Sequence, residues 1–289
     1  MIQKLHQLIK IQTNLSFQET CWLLEHVTKK SHAELMLTKQ LTDQEMADLD
    51  STIAQLKDHK PLAYILGFVP FLDLKMQVKP PILIPRHETE EWVAKLIETL
   101  KPFASQIKKI CDIGTGSGCI ALALAKNFPD AKVTAIDINQ QVLDLAVSNA
   151  KLHGIKNISF LKSDLFDELP KNAKFDLIVS NPPYIDPACA PTLPAQVSAW
   201  EDHQALFASD SGLYIITKLL QNAPKFLQKK STLPVQLILE IGHDQHEKVL
   251  KLAKTVGWQA QALKDSFDKW RTIWLSQPSL TLRRVKSEI

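Results

Sequence analysis

Three of the chain's eight glycines, Gly114, Gly116 and Gly118, stand in one five-residue window. A sequence so sparing with glycine concentrates it where the backbone turns tightly and comes close to something else. The window follows the apolar run KKICDI and precedes an Ala- and Leu-rich run from Cys119. It therefore sits between a strand and a helix, where backbone amides and a helix N-terminus approach a ligand. From about residue 108 the rhythm repeats. Strand-like KKICDIG, KVTAIDI, ISFLKSD, FDLIVSN and VQLILEIG interleave with helical stretches from Cys119, from Gln140, near 212–228 and from Asp244. This alternation predicts an α/β fold: a parallel sheet with helices on both faces. The last two of the seven runs, WQAQALKD and WRTIWLSQ, are joined by Ser266 to Lys269 alone. That link is too short for a crossover, so they are predicted to close the sheet as an antiparallel hairpin.

Residues 1–66 read differently. Met46, Leu49, Ile53 and Leu56, and separately Trp22, Leu23, Leu24 and Val27, recur at helical spacing. Thr42 with Glu45 resembles a capping box. Nine lysines face nine acidic residues over positions 1–80, which predicts a neutral helical bundle that docks a partner or stabilises the rest. Residues 67–84 carry short alternating runs, Phe71-Leu72-Asp73-Leu74 and Met76-Gln77-Val78, read as a β-hairpin link. The expected organisation is a helical docking domain over 1–66, the hairpin over 67–84 and an α/β domain over 85–289.

The formal charge is +3, from 34 basic and 31 acidic residues. So small an excess argues against a chain built to coat nucleic acid or an anionic membrane. No apolar stretch reaches the roughly 18 residues a membrane helix needs. The N-terminus lacks a signal-type hydrophobic block and carries no Arg. Cys21, Cys111, Cys119 and Cys189 are scattered, with no C-x-x-C pair, so neither disulfides nor a zinc site are expected. These features fit a reducing, cytoplasmic setting with no metal centre.

A dinucleotide fingerprint needs glycines at relative positions one, three and six. Counted from Gly114 the sixth position is Cys119, and the spacing is G-x-G-x-G instead, over Gly114, Thr115, Gly116, Ser117 and Gly118. Asp137 ends the following strand, where a carboxylate can accept from two ribose hydroxyls. A glycine loop with a ribose carboxylate but no dinucleotide pattern points to an adenosine ligand lacking a pyrophosphate. S-adenosylmethionine is the leading candidate.

The second motif, Asn181-Pro182-Pro183-Tyr184, ends the run FDLIVS. Two prolines fix the backbone and remove two donors. The Asn181 side-chain oxygen and the Pro182 carbonyl remain as acceptors at fixed geometry, suited to a planar –NH2 group, with Tyr184 as a flat wall. Such a nitrogen is a poor nucleophile, because its lone pair is delocalised. Acceptors that grip it as it turns tetrahedral and positive stabilise charge that develops in the transition state. No strong base is needed, since the methylated cation is acidic. Where the sheet order reverses, strand one and strand four would bring Asp112, the glycine loop and Asn181 to one crevice.

With these residues in view, the chain resembles the PrmC/HemK family of glutamine methyltransferases that modify class I peptide chain release factors. The resemblance runs through YILGFVPFLDLKMQV, LIPRHETE, DIGTGSGCIALALA, AIDI, SDLFDEL, FDLIVSNPPYI and LEIGHDQHEKVLKLAKTVGW. It implies a seven-stranded Rossmann-like S-adenosylmethionine-dependent methyltransferase fold with a helical N-terminal domain that grips the release factor. The implied reaction moves a methyl group to the glutamine amide nitrogen of a Gly-Gly-Gln loop. Gly114 to Gly118 would hold the cofactor, Asp137 its ribose and Leu165 its adenine. Asn181 would touch cofactor and substrate, with Pro182, Pro183 and Tyr184 completing the amide pocket. Four places depart from the family pattern: His87 replaces a proline, and Leu165 replaces an aromatic. Gly212-Leu213-Tyr214 lacks a following Tyr-Arg pair, and Asp268-Lys269-Trp270-Arg271 replaces a glycine-containing turn.

Other residues are set aside. His87, His203 and His243 read as surface or packing residues. Asp164 and Asp167 could reach the adenine or be solvated, and Asp112 could underlie the cofactor's amino group or cap the loop. Trp258, Trp270 and Trp274 read as core, and Arg283-Arg284-Val285-Lys286 as a frayed tail. Rival functions are DNA adenine-N6 methylation, methylation of a ribosomal-protein glutamine, and a non-catalytic adapter. The first needs base flipping and a basic face, which the neutral N-terminal region does not supply, so no direct DNA binding is expected.

Overall fold

The computed structural model describes residues 1–229 and 231–278; the basic tail Arg283–Lys286 lies outside them. Five helices open the chain: α1 (Ile2–Thr13), α2 (Phe17–Thr28), α3 (His32–Leu37), α4 (Asp43–Lys57) and α5 (Leu62–Leu66). The capping box at Thr42 and Glu45 forms, and two more form at Ser16/Glu19 and Ser31/Glu34. Each satisfies two amides that a helix start leaves unpaired. Leu49, Ile53 and Leu56 point inward with Leu23, Leu24 and Val27 into a core of their own. Met46, on the predicted face, is 38% exposed, and Trp22 turns out of the helical core to meet Phe68 edge-on at 6.3 Å.

The predicted hairpin forms from β1 (Phe68–Phe71) and β2 (Leu74–Gln77), paired antiparallel. Its strands are shifted from the expected ones. Leu72 and Asp73 make the turn, with Leu72 at φ +52. Their alternation read as strand, but the turn is held by tertiary partners. Leu72 N–H donates to Glu90 Oε1 at 2.8 Å, and Asp73 pairs with Lys126 at 2.6 Å.

The rest is layered α/β, built from α6 (His87–Leu100), β3 (Lys109–Ile113), α7 (Cys119–Asn127), β4 (Lys132–Asp137), α8 (Gln140–Leu152), β5 (Ile158–Lys162) and β6 (Leu177–Ser180). It continues through short α9 (Ala195–Ser198) and α10 (His203–Leu206) to α11 (Tyr214–Phe226), β7 (Leu237–Glu240), α12 (His246–Val256), β8 (Gln259–Lys264) and β9 (Trp270–Ser276). The sheet order is β5-β4-β3-β6-β7-β9-β8. β3 to β7 run parallel, and β9 pairs antiparallel with both β7 and β8, as the short final link requires.

Alternate residues of the central strands feed opposite faces. Leu177, Val179 and Ile238 join one core with Trp92, Leu96 and Leu122; Ile178, Leu237 and Leu239 join another with Leu219, Leu220 and Val249. A strand covered on both faces is apolar along its length, which explains why LIVS and LILE carry so little polar residue. Trp258 is core, its Nε1–H donating to the Leu220 carbonyl at 3.0 Å. Trp270 is half-buried and stacks on His246 at 4.5 Å. In the turn between β8 and β9, Asp268 takes φ +60 while Asp265 accepts from the amides of Phe267 and Lys269.

Candidate active site

β3 and β6 are neighbours, with Ile113 opposite Ser180. The residues that follow, Gly114 and Asn181, therefore leave the sheet side by side at its carboxyl edge. A Cβ on Gly114 would lie 3.9 Å from the Asn181 carbonyl oxygen. The two motifs share one crevice because the strand order reverses there.

In the glycine loop, Gly114, Gly116 and Gly118 take φ +72, +58 and +87, the left-handed region that glycine enters without Cβ strain. A Cβ on Gly116 would enter open space. The intervening side chains turn inward: Thr115 and Ser117 are buried. Thr115 Oγ1 donates to Asp112 Oδ2 at 2.7 Å, and the Ser117 carbonyl accepts from Asn149 Nδ2 at 2.9 Å. Asn149 also clamps the hairpin, accepting from Gln77 N–H at 2.7 Å and donating to its carbonyl at 3.1 Å. The loop thus presents backbone, not side chains, to the crevice.

Asp112 is fully buried and caps the loop through Thr115. Its Oδ1 has no partner among the described residues, and burial pushes the carboxyl up to about 7. Asp137 is fixed by two backbone donors, Gly116 N–H to Oδ2 and Asn139 N–H to Oδ1, both at 3.0 Å. Burial still holds its carboxyl above the ordinary carboxylate range. Each oxygen keeps a further lone pair for a hydroxyl donor. Beside it Ile138 is 55% exposed, an apolar side chain at the crevice rim that sequence reasoning passed over.

Leu165 takes φ +50, a strained conformation for a residue with a side chain. Ser163 supports the turn, its Oγ donating to the Leu165 carbonyl and accepting from Glu168 N–H. Leu165 and the exposed Asp164 and Asp167 line a cavity of about 300 Å³ against Lys218 and Phe226 of α11. Neither the glycine loop nor Asn181–Tyr184 lines that cavity.

The N-P-P-Y loop is held from outside itself. Asn181 Nδ2 donates to Thr89 Oγ1 at 3.3 Å, and Thr89 Oγ1 donates to Glu240 Oε2 at 2.7 Å. Trp92 Nε1 donates to the same oxygen at 2.7 Å, and Tyr184 OH to Oε1 at 3.3 Å. Glu240 is 1% exposed, and burial raises its carboxyl against these bonds and the Arg271 guanidinium. Among the described residues no donor reaches Asn181 Oδ1 or the Pro182 carbonyl. Tyr184 is also fixed by its carbonyl, which accepts from Gln245 Nε2 at 2.8 Å. Gly212 makes room for this: a Cβ there would lie 2.0 Å from the Tyr184 oxygen. Arg86, just before α6, pairs with the buried Glu201 at 2.5 Å and so ties α6 to the segment that follows the motif.

The three histidines lie outside the site. His87 and His243 are exposed, and His203 bonds the Ser198 carbonyl at 2.9 Å. Thr89, Trp92, Glu240 and Gln245 were not singled out from the sequence, and Gly212 was noted only for the pair missing after it. Glu240 was detectable, since one carboxylate in an otherwise apolar two-faced strand demands buried partners.

A glycine loop, a strand-end carboxylate and an acceptor pair on this sheet define a methyltransferase. The profile described as a methyltransferase domain matches residues 105–277, and the PrmC N-terminal domain matches residues 6–67. The release factor glutamine methyltransferase of Streptococcus pneumoniae R6 is 40% identical over 235 residues, 80% of each chain. That of Thermodesulfovibrio yellowstonii is 30% identical, covering 91% of this chain and 93% of its own. A solved methyltransferase from Pyrococcus furiosus shares the fold, at TM-score 0.50 and 19% identity over 71% of this chain and 90% of that one. The chain belongs to the release factor glutamine methyltransferase family.

Proposed function

We propose that this protein transfers a methyl group from S-adenosylmethionine to the glutamine amide nitrogen in the Gly-Gly-Gln motif of class I peptide chain release factors. The observation that carries the reading is the pair of unpartnered acceptors, Asn181 Oδ1 and the Pro182 carbonyl, beside an open glycine loop. The residues present fit the cofactor. The loop leaves open space at Gly116, and Asp137 holds spare lone pairs beside the apolar Ile138.

When bound, S-adenosylmethionine supplies an electrophilic methyl group on a sulfonium. Gly114 to Gly118 offer backbone to it through Gly114, Thr115, Gly116, Ser117 and Gly118. Asp137 would take the ribose hydroxyls, and Ile138 and Leu165 would offer the adenine apolar surface. Asn181 and Pro182 each accept one hydrogen of the substrate amide. They orient its nitrogen and stabilise the positive charge that grows as it turns tetrahedral. Pro183 fixes the turn, and Tyr184 walls the planar amide. The extra proton leaves to water.

In this reading residues 1–66 dock the release factor, 67–84 link, and 85–289 carry the chemistry, in the cytoplasm and without direct contact to DNA. No helix among the described residues is long and apolar enough to cross a membrane. Incubation with tritiated S-adenosylmethionine and purified release factor, followed by peptide mapping, tests the proposal. Label on the Gly-Gly-Gln glutamine is expected; label elsewhere, or none, overturns it.

A further inference from the structure

An asparagine carboxamide can face a substrate with either end, and only one end serves an amide N–H. The surroundings of Asn181 decide between them. Glu240 sits where three donors converge: Thr89 Oγ1, Trp92 Nε1 and Tyr184 OH. An indole N–H can only donate, and a carboxylate can only accept. The Thr89 hydroxyl has one proton, and at 2.7 Å from Glu240 Oε2 that proton is committed. Its oxygen then faces Asn181 purely as an acceptor, so Asn181 must turn its –NH2 to Thr89, as the 3.3 Å contact shows. Oδ1 is left for the crevice.

From this geometry we infer that Thr89 and Glu240 are positioning residues, a buried relay that sets the carboxamide of Asn181 with its oxygen toward the substrate. The relay spans 151 residues of sequence between Thr89 and Glu240, and both side chains are buried, at 2% and 1% exposure. Without it, the carboxamide could rotate and offer a donor to a donor. Such a flip removes one transition-state acceptor while leaving the crevice its shape. Tyr184 is tied to the other oxygen of the same carboxylate, so Glu240 also sets the tilt of the amide wall.

The inference rests on the proposed reaction, so the test runs wild-type enzyme beside the variants on one purified release factor. Thr89→Val keeps the shape but removes both the donor and the acceptor. Its kcat is expected to fall about 10²-fold, the scale for losing one such acceptor. KM for the release factor and Kd for S-adenosylmethionine should change less than about threefold, since only one hydrogen bond to the substrate amide is altered and the glycine loop is untouched. Thr89→Ser should restore kcat to within about threefold of wild type, because a hydroxyl alone completes the relay. A general packing role would be damaged by both variants and would move KM or Tm as well. If Thr89→Val does not stay folded, Thr89→Ala takes its place with the same expectation. A valine or alanine variant with wild-type kcat, or a serine variant as slow as valine, overturns the relay. Failure of the wild type to label the glutamine overturns the reaction itself and is read separately.

Discussion

Two loops leave adjacent strands of the sheet and meet at one crevice, yet they are made rigid in opposite ways. The Gly114–Gly118 loop is stabilised locally: Asp112 caps Thr115, Asp137 accepts from Gly116, and the backbone takes conformations that glycine allows. The Asn181–Tyr184 loop restricts its own backbone with proline and draws its support from distant chain. Thr89 lies 92 positions before Asn181, and Glu240 and Gln245 lie 56 and 61 positions after Tyr184. Backbone-mediated binding draws on one continuous stretch, from Asp112 to Asn149. Aiming a single side-chain oxygen requires a built surround.

The contrast can be broken most sharply at Asn181. Asn181→Ala should lower turnover on a Gly-Gly-Gln protein by about 10³-fold, while calorimetry finds S-adenosylmethionine bound within about threefold of wild type. Near-normal turnover would remove the distinction. Asp137→Ala should do the reverse, weakening cofactor binding by about 10-fold or more through loss of charge-assisted hydrogen bonds, with kcat at saturation changed much less. A loss confined to kcat would show that the glycine side also aims chemistry.

Alanine at two glycines sharpens the comparison through stability. Gly212→Ala drives a Cβ to 2.0 Å from the Tyr184 oxygen, so the loop must move; a loss of about 3 kcal/mol and of most activity is expected in denaturant titration and assay. Gly116→Ala meets no atom and should cost only the positive-φ strain, about 1 kcal/mol, while cofactor affinity falls. Equal losses would contradict the split.

The last test is a pH dependence. The Asp112 carboxyl is raised from 3.8 to about 7 by burial, so the folded chain holds a proton that the unfolded chain has released between those values. Stability contributed by this group should therefore be full below about pH 4, fall as pH rises and level off above about 7. Asp112→Asn should flatten that slope in thermal melts; an unchanged slope would remove Asp112 as its source.

The same difference between the loops governs what the sequence revealed. Seven strands, their antiparallel end and the glycine loop were legible because each rests on local pattern: alternation of β and α, a short link, a cluster of glycines. The N-P-P-Y acceptors were legible because proline chemistry is local too. Thr89 and Gln245 were not, because a buried hydrogen bond between distant residues leaves no spacing to read; Glu240 stands out as a lone carboxylate in an apolar strand, but its partners do not. The hairpin failed on a finer scale. Leu72 sits at φ +52 in a turn secured by Glu90 and Lys126, partners that the stretch itself does not announce.

Asn149 joins these regions with one side chain, gripping both backbone groups of Gln77 and the carbonyl of Ser117. The hairpin and the glycine loop consequently share a latch. Amide protons on the two should become exchangeable together as denaturant rises, and whatever tugs on the hairpin from the helical side is felt at Ser117.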